Sequence, residues 1–402
     1  MHRILRAITT AAFALTPSLA FAQGAPIKLG VLNDQSGVFA DYQGIGSVIA
    51  AQMAVEDFGG KVRGRTVEVI SADHQNKPDI GLAIARRWFD QENVAAVFDL
   101  PNSAIALGVN KMAAERNKVF VGSGAGTVQL TGPECTANFV HWTYDTYAYG
   151  HGIGRAVYER GGKKWFFITA DYAFGHDLEL QATEEVKKLG GQVLGAVRHP
   201  LGNNDYSSYL LQAQASGADV VGIANAGGDT VNTIKQAAEF GLTKKQKLVG
   251  VILGMNNIPG IGLEAAQGSY MMVPFYWDMN DGTRAWSKKF QERHPNKNMP
   301  NDMQAGVYAS VLHYLKAIDA GADPADGKAI VAKMKELPTD DSLFGKGTIR
   351  ADGRKIHPMY LLEVKAPSES SGKWDYLKVV ASVPGEQAFR SLADGKCPLA
   401  VK

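Results

Sequence analysis

Short apolar runs alternate with longer amphipathic stretches along this chain, and that alternation limits the fold more than any other feature of the sequence. IKLGVLN (27–33) is the first apolar run, and a loop and a helical stretch, SVIAAQMAVEDFG (47–59), follow it. The order of strand, loop and helix then recurs as far as residue 122. Short, continuously apolar strands between helices are typical of a parallel sheet covered by helices on both faces. The sequence therefore predicts an α/β fold.

The same order of elements begins again near residue 150. The strand KKWFFITAD (163–171) belongs to this second series, and the helical stretch DLELQATEEVKKLG (177–190) ends at a Gly-Gly pair, as the first helix does at Gly59-Gly60. A repeated series of this kind indicates two similar α/β lobes instead of one large sheet. The elements after residue 270 do not form a third lobe, so we expect them to complete lobe one and then return to lobe two.

The expected architecture is two Rossmann-like lobes joined by a three-segment hinge. Lobe one is predicted over residues 23–143 and 275–345, and lobe two over residues 144–274 and 346–402. Crossings of this kind act as hinges, and the cleft between two lobes is where small ligands collect.

The first 22 residues have the pattern of a secretory signal peptide. MHRILR is a basic start, an apolar stretch follows it, and Ala20-Phe21-Ala22 forms an A-x-A cleavage site before Gln23. The apolar stretch is too short to span a bilayer. Loss of Arg3 and Arg6 lowers the formal charge from +2 to 0, so net charge offers nothing to attract nucleic acid or an anionic membrane.

The chain contains two cysteines, Cys135 and Cys397. Export to an oxidising compartment and an even count favour a disulfide, and two free thiols are the alternative. A bond would tie the C-terminal tail to the loop TGPEC (131–135). Because the two cysteines are far apart in the sequence, whether they form a disulfide depends on how the fold places them.

Motifs of the common enzyme classes are missing from the sequence. It has no G-x-S-x-G elbow, no H-E-x-x-H pair among its nine histidines and no G-x-x-x-x-G-K-[ST] phosphate loop. We therefore expect no catalytic residue, no metal site and no cofactor.

Three glycines follow an apolar run in VGSGAGT (121–127), and such turns often hold phosphates. A dinucleotide site needs a strand, then G-x-G-x-x-G, then a helix, with an acidic residue about 20 positions later. Here the glycines lead into the turn-rich segment TVQLTGPEC (127–135), and the second glycine cluster, GHGIG (150–154), follows no strand. Both are weak matches to a nucleotide site.

The loops after the predicted strands are rich in small polar and aromatic residues. Open α/β sheets bind ligands at these carboxyl ends of strands, where backbone N–H groups and helix N-termini suit a carboxylate. Tyr42, Tyr172 and Phe174 are candidates for an apolar wall. Helix N-capping is the alternative role of Asn102 with Ser103 and of Asp229. Packing of the hinge is the alternative role of Tyr276 and of its neighbours in the predicted crossings, Trp142, Tyr144 and Trp277.

At these loops the sequence resembles the periplasmic solute-binding proteins of ABC importers with the type I fold, in the branch that contains the Leu/Ile/Val-binding protein. The resemblance extends over essentially the whole mature chain. The segments that carry it are IKLGVLNDQSGVFADYQG (27–44), VAAVFDLPNSA (94–104), VFVGSGAGTVQLTG (119–132) and WFFITADYAFGHD (165–177).

The resemblance implies a set of ligand contacts. In that family a ligand carboxylate is held by a hydroxyl after the third strand and by backbone amides and a Thr in the next loop. An aromatic residue from the first loop and one from the DYAFG segment complete the wall. The residues of this chain that match these contacts are Tyr42, Asn102, Ser103, Ala125, Gly126, Thr127 and Phe174 or Tyr172. The later loops and crossings add four candidates for the ligand site, Asn225, Asp229, Met255 and Tyr276.

This chain departs from the family's amino-acid binders at two places. They carry an acidic residue after the last strand of lobe two, which pairs with the α-ammonium group, whereas GVILGMNN (250–257) contains no acid. A tyrosine expected near ANAGG (224–228) is replaced by small residues, although Asp229 follows. Because a buried ammonium group without a carboxylate is costly, we expect the ligand to be a small organic acid with an aromatic or apolar body. Asp229 is the residue that could pair with an ammonium group, and in that case the ligand would be a branched-chain amino acid.

The resemblance also implies the biological role. It implies a periplasmic protein, cleaved after Ala22, that closes as a monomer around a small solute and delivers it to an ABC permease in the inner membrane. It implies no enzyme activity, no cofactor and no nucleic-acid partner. A sensory ligand-binding subunit of the same fold and an exported α/β enzyme are the alternatives.

Overall fold

The computed structural model describes residues 25–400, so the predicted signal peptide and its cleavage site lie outside the described residues. The first sheet has six strands in the order β2-β3-β1-β4-β5-β6, all parallel except β2. Its strands are β1 (Ile27–Asn33), β2 (Lys61–Val62), β3 (Arg65–Asp73), β4 (Val94–Asp99), β5 (Val119–Gly122) and β6 (Phe139–His141). The helices α1 (Gly44–Asp57), α2 (Pro78–Asp90) and α3 (Ser103–Glu115) alternate with them. Every residue of β4 and β5 is buried, as expected for strands covered on both faces.

The second sheet has four parallel strands in the order β10-β9-β7-β8. Its strands are β7 (Lys164–Ala170), β8 (Gln192–His199), β9 (Val220–Ala224) and β10 (Lys247–Gly250). The helices of this part are α4 (Thr146–Tyr158), α5 (Ala173–Lys188), α6 (Ser207–Ala215) and α7 (Gly228–Glu239), followed by the short α8 (Ile258–Ile261) and α9 (Leu263–Ala266). We call the first sheet with its helices lobe one, and the second sheet with its helices lobe two.

The remaining elements return first to lobe one and then to lobe two. The helices α10 (Asp281–Arg293), α11 (Asp302–Asp319) and α12 (Gly327–Glu336) share the apolar core of the first sheet, where the ring of Tyr314 meets Phe98 edge to face at 5.7 Å. Two small antiparallel sheets complete the fold. Their strands are β11 (Tyr270–Val273), β12 (Thr339–Asp341), β13 (Gly345–Ile349), β14 (Lys355–Ile356), β15 (Met359–Val364) and β16 (Leu377–Val383), and the last helices are α13 (Gly385–Ala388) and α14 (Leu392–Gly395).

The predicted lobe bounds put three crossings of the chain near residues 143–144, 274–275 and 345–346, and the segments at the first and third lie side by side, where His141 pairs with Arg354. Arg354, which is fully buried, donates hydrogen bonds to the carbonyl oxygens of Thr143 and Tyr144, and thereby ties the third crossing to the first. The predicted fold class, two Rossmann-like lobes with a three-segment hinge, is confirmed. The exact lobe boundaries stay a prediction.

Cys135 and Cys397 form a disulfide in the structure, with their Cα atoms 5.7 Å apart. Cys397 is fully buried. The bond joins the loop between β5 and β6 to the segment after α14, across 262 positions of sequence. It closes the C-terminal end onto lobe one.

Candidate functional site

The carboxyl ends of the two parallel sheets face each other, and the loop between β1 and α1 crosses from one to the other. The N–H of Gly228, in lobe two, donates to the carbonyl oxygen of Val38 at 2.9 Å. The hydroxyl of Tyr42 donates to the side-chain oxygen of Asn257, also in lobe two. The two lobes are therefore in direct contact across the cleft.

Between these contacts lies a narrow pocket of about 10 Å³, room for roughly one water molecule. Five aromatic rings and several apolar side chains form its wall, and no Lys, Arg, Asp or Glu of the described residues lines it. The lining residues are Phe39, Tyr42, Gln43, Pro101, Gly124, Tyr144, Tyr172, Phe174, Ala226, Ile252 and Met303. The lobes must separate slightly to admit a ligand here, and the aromatic wall suits a small, largely apolar molecule.

Asp34 fixes the loop that carries the first part of the wall. Its carboxylate accepts from the N–H groups of Gly37 at 2.7 Å and Phe39 at 2.9 Å. Burial raises the pKa of Asp34 above its ordinary value, against these hydrogen bonds, which lower it. Asn301 holds the other end of the loop, since its side-chain amide donates to the carbonyl oxygen of Tyr42 at 2.8 Å.

The glycines of VGSGAGT allow other groups to approach the backbone. A Cβ on Gly126 would lie 2.6 Å from the ring of Phe174, and one on Gly124 would lie 2.5 Å from the side-chain nitrogen of Gln43. Tyr144 donates to the carbonyl oxygen of Gly124 at 2.7 Å. A 3₁₀ turn (Val128–Thr131), not an α-helix, follows the segment. The turn therefore packs against the aromatic wall and lacks the helix that a phosphate site would use.

The lobe-one residues that were predicted to bind the ligand carboxylate form hydrogen bonds within the protein instead. Thr127 donates its hydroxyl to the carboxylate of Asp177, on α5, at 2.7 Å, and the N–H of Val128 donates to the same oxygen at 2.9 Å. Ser103 accepts from the N–H of Thr127 at 3.3 Å. Asn102 caps α3 through bonds to two backbone N–H groups. The carbonyl of Ala125 contacts the ring nitrogen of His141 at 2.6 Å.

Four further predicted contacts also lie outside the cavity wall: Asn225, Asp229, Met255 and Tyr276. Asn225 bonds to His199, Thr230 and Thr233. Asp229 lies in the first turn of α7 and accepts from the N–H of Gly202 at 3.0 Å, and burial raises its pKa to about 6. Met255 and Tyr276 belong to an apolar core.

Of the twelve predicted residues, the structure brings Tyr42, Tyr172 and Phe174 together on the wall, with Gly126 against Phe174. The ligand contacts of the whole set stay a prediction. The lining residues that sequence reasoning did not assign to a ligand site are Phe39, Gln43, Pro101, Gly124, Tyr144, Ala226, Ile252 and Met303. Phe39, Pro101 and Gly124 lie in the loops after predicted strands, where the sequence analysis expects ligand contacts. Their position after a strand is therefore a signal by which they could have been found.

Two buried carboxyl groups stand near the cavity. Asp99, beside Gly124, accepts from Asn33 at 3.1 Å and Ser123 at 3.3 Å, and burial raises its pKa to about 7. Asp302 precedes Met303 of the wall, and burial raises its pKa to about 7 as well.

In residues 25–400 no helix combines the length and apolarity needed to cross a membrane. The same part of the chain contains no group of three or more His, Cys, Asp or Glu side chains placed to hold a metal ion.

Comparison with known proteins gives a consistent result. The family model described as periplasmic binding protein matches residues 26–373. A solved periplasmic binding protein of Burkholderia mallei is 48% identical, with a TM-score of 0.90 over 93% of this chain and 99% of the other. A solved ligand-binding protein of a branched-chain amino acid ABC transporter, from Burkholderia xenovorans LB400, is 40% identical, with a TM-score of 0.81 over 93% and 100%. The Leu/Ile/Val-binding protein homolog 6 of Brucella melitensis biotype 1 is 25% identical over 365 residues, which are 88% of this chain and 91% of the relative.

Proposed function

The chain belongs to the periplasmic binding protein family, as its sequence resemblance predicts, and we propose that it is the solute-binding component of an ABC importer for a small aromatic or apolar carboxylate. The observation that carries the proposal is the cavity between the lobes, with five aromatic rings and no charged side chain of the described residues on its wall. Such a wall favours a flat apolar body through ring contacts.

The polar groups of the cavity suit an acid better than an amino acid. No carboxylate of residues 25–400 lines the cavity to pair with an ammonium group, and Asp229 accepts instead from the backbone of Gly202. The side-chain oxygen of Gln43, which is buried, has no hydrogen-bond partner among the described residues and can accept from a hydroxyl of the ligand. Gly124 and Gly126 carry no side chain at the same wall, and Gln43 and Phe174 pack against them.

The proposed role follows from these features and the family. The protein is exported, cleaved after Ala22 and active as a monomer in the periplasm. It closes around the solute and delivers it to an ABC permease in the inner membrane, without carrying out a reaction. The branched-chain amino acid named for the Burkholderia xenovorans relative is the competing ligand class.

A thermal-shift screen tests the ligand class. We expect benzoate and related aromatic monocarboxylates to raise the melting temperature, because ligand at 100 times its Kd stabilises the native state by about 2.7 kcal/mol. Leucine, isoleucine and valine at equal concentration serve as the comparison. A clear shift with these amino acids, and none with carboxylates that lack an ammonium group, would contradict the proposed class.

Tyr42 provides the test of the site. Tyr42→Phe keeps the ring on the cavity wall and removes the hydrogen bond to Asn257, so we expect roughly threefold weaker binding of the ligand found in the screen. Tyr42→Ala also removes the ring contact, and we expect a loss of roughly tenfold or more. Isothermal titration calorimetry measures both. Affinity within twofold of wild type in Tyr42→Ala would place the ligand elsewhere.

A further inference from the structure

Asp177 is a buried carboxylate that joins the two lobes beside the cavity. It lies near the start of α5, in lobe two, and only 6% of its surface is exposed. Its Oδ2 atom accepts from the hydroxyl of Thr127 at 2.7 Å and from the N–H of Val128 at 2.9 Å, both in lobe one. The same oxygen accepts from the hydroxyl of Thr146, on α4 of lobe two, at 2.7 Å. Two of the three bonds to this oxygen therefore cross from one lobe to the other.

The donors that surround Asp177 are themselves fixed. The hydroxyl of Thr127 accepts from the N–H of Gln129 at 3.3 Å, which leaves its own proton for Asp177. The N–H of Thr146 donates to the carbonyl oxygen of Gly126 at 2.8 Å. A carboxylate out of water is costly unless it is paired or hydrogen-bonded, and bonds to a charged acceptor are stronger than neutral ones. The donors thus form a small anion-binding position that the protein fills with its own side chain.

The helix that carries Asp177 also places an aromatic ring on the cavity wall. Phe174 is three residues before Asp177, and residues at this spacing lie on the same face of a helix. The ring of Phe174 packs so closely on lobe one that a Cβ on Gly126 would lie 2.6 Å from it. Gly126 directly precedes Thr127, so the carboxylate and the ring contact neighbouring residues of one segment of lobe one.

We infer that Asp177 is a positioning residue for ligand capture: its bonds to Thr127 and Val128 fasten the start of α5 to lobe one and thereby hold the ring of Phe174 on the cavity wall when the lobes are closed. This inference rests on the proposed function. Because the cavity has room for only about one water molecule, the lobes must separate to admit a ligand and close again to retain it. Loss of the carboxylate removes two bonds of the closed state, so the fraction of protein that is competent to retain a ligand falls.

Thr127 is also the residue that the sequence predicts to bind the ligand carboxylate. In the structure Asp177 accepts from its hydroxyl, so an acidic ligand would have to compete with Asp177 for this donor. The two roles predict opposite effects of removing Asp177. Ligand binding becomes weaker if Asp177 holds the lobes together, and stronger if Asp177 competes with the ligand.

Calorimetric titration of Asp177→Ala with benzoate tests the inference. We expect roughly tenfold or more weaker binding, because two hydrogen bonds to a charged group are lost between the lobes. Formate can replace the missing carboxylate through the surface groove that Val128 and Asp177 both line. We expect millimolar formate to restore most of the benzoate affinity of Asp177→Ala and to leave the wild type unchanged. Asp171→Asn is the matched control, because Asp171 pairs with His176 at the surface, and it should keep the wild-type affinity.

Thr127→Val and Thr146→Val provide a second pair of variants with intact Asp177. Each removes one hydroxyl that donates to Asp177, but only the bond from Thr127 crosses between the lobes. We expect roughly fivefold to tenfold weaker benzoate binding in Thr127→Val and affinity within about twofold of wild type in Thr146→Val.

The outcomes separate the role of Asp177 from the proposed function. Benzoate affinity of Asp177→Ala within twofold of wild type, even with a lower melting temperature, would show that Asp177 only stabilises the fold. Tighter binding would assign Thr127 to the ligand, and a loss that formate does not restore would also overturn the inference. If no aromatic carboxylate binds the wild type, the proposed ligand class is wrong. Melting without ligand then still judges Asp177: formate should raise the melting temperature of Asp177→Ala and not that of the wild type, and no rise would overturn the anion position.

Discussion

Replacement of Gly227 by alanine is expected to weaken ligand binding about hundredfold while both lobes remain folded. Gly227 has a φ of +63°, and a Cβ on it would lie 2.1 Å from the carbonyl oxygen of Val38. Gly227 belongs to the loop after β9 in lobe two, and Val38 to the β1–α1 loop of lobe one. The methyl group therefore stands where the two lobes meet. It also displaces the adjacent bond from the N–H of Gly228 to Val38.

The size of the effect follows from the geometry. A backbone oxygen cannot move aside as a flexible side chain can, so the lobes must separate to accommodate the methyl group. A lost buried hydrogen bond and a steric overlap of this kind together cost about 2–3 kcal/mol, which corresponds to roughly hundredfold in Kd.

Gly228→Ala is the matched control for Gly227→Ala. A Cβ on Gly228 would lie 3.8 Å from Val38, an ordinary contact, so we expect nearly wild-type affinity. Calorimetry with benzoate or the ligand found in the screen measures both variants, and melting without ligand reports on the fold. Affinity of Gly227→Ala within threefold of wild type would show that capture does not need this contact between the lobes.

The fold could be predicted because its buried strands are short, continuously apolar runs in the sequence. VAAVFD and VFVG are continuously apolar, and as β4 and β5 they are buried at every position. The first and last residues of the helices are harder to predict than the helices themselves. The first helix was expected from Ser47, a residue type that often caps helices, but α1 begins at Gly44. Ser47 is buried within α1 and caps no helix.

The site was predictable only where its residues follow strands in the sequence. Tyr42, Tyr172 and Phe174 could be found because they are aromatic residues in loops without helical periodicity. Met303 and Ile252 reach the same cavity from distant segments, and only the folded chain shows that they meet there. Thr127 was assigned to a ligand carboxylate, but local sequence cannot show that the carboxylate of Asp177, on a helix of lobe two, reaches its hydroxyl.

Replacement of Arg354 by methionine is expected to lower the free energy of unfolding by about 3–5 kcal/mol, the cost of removing one partner of a buried charge pair. Burial lowers the pKa of Arg354 to about 10, so its guanidinium stays charged at neutral pH. It donates to the carbonyl of Tyr144 at 3.0 Å, lies 3.6 Å from the carboxylate of Asp145, and sits 4.3 Å from the ring centre of Phe389. Methionine fills part of the space but donates no hydrogen bond.

We expect this loss of unfolding free energy at Arg354 and not at an exposed arginine. Without Arg354, the buried carboxylate of Asp145 loses its neighbouring cation, and the carbonyl oxygens of Thr143 and Tyr144 lose a hydrogen-bond donor. The bond from the N–H of His141 to Gly353 and the contact of His357 with Thr143 then remain between these segments. Arg87→Met is the control, because Arg87 forms an exposed pair with Glu92, and such pairs contribute about 0–1 kcal/mol. Urea unfolding followed by circular dichroism compares the two variants. Equal midpoints for both would mean that the buried guanidinium adds nothing to the stability of the crossings.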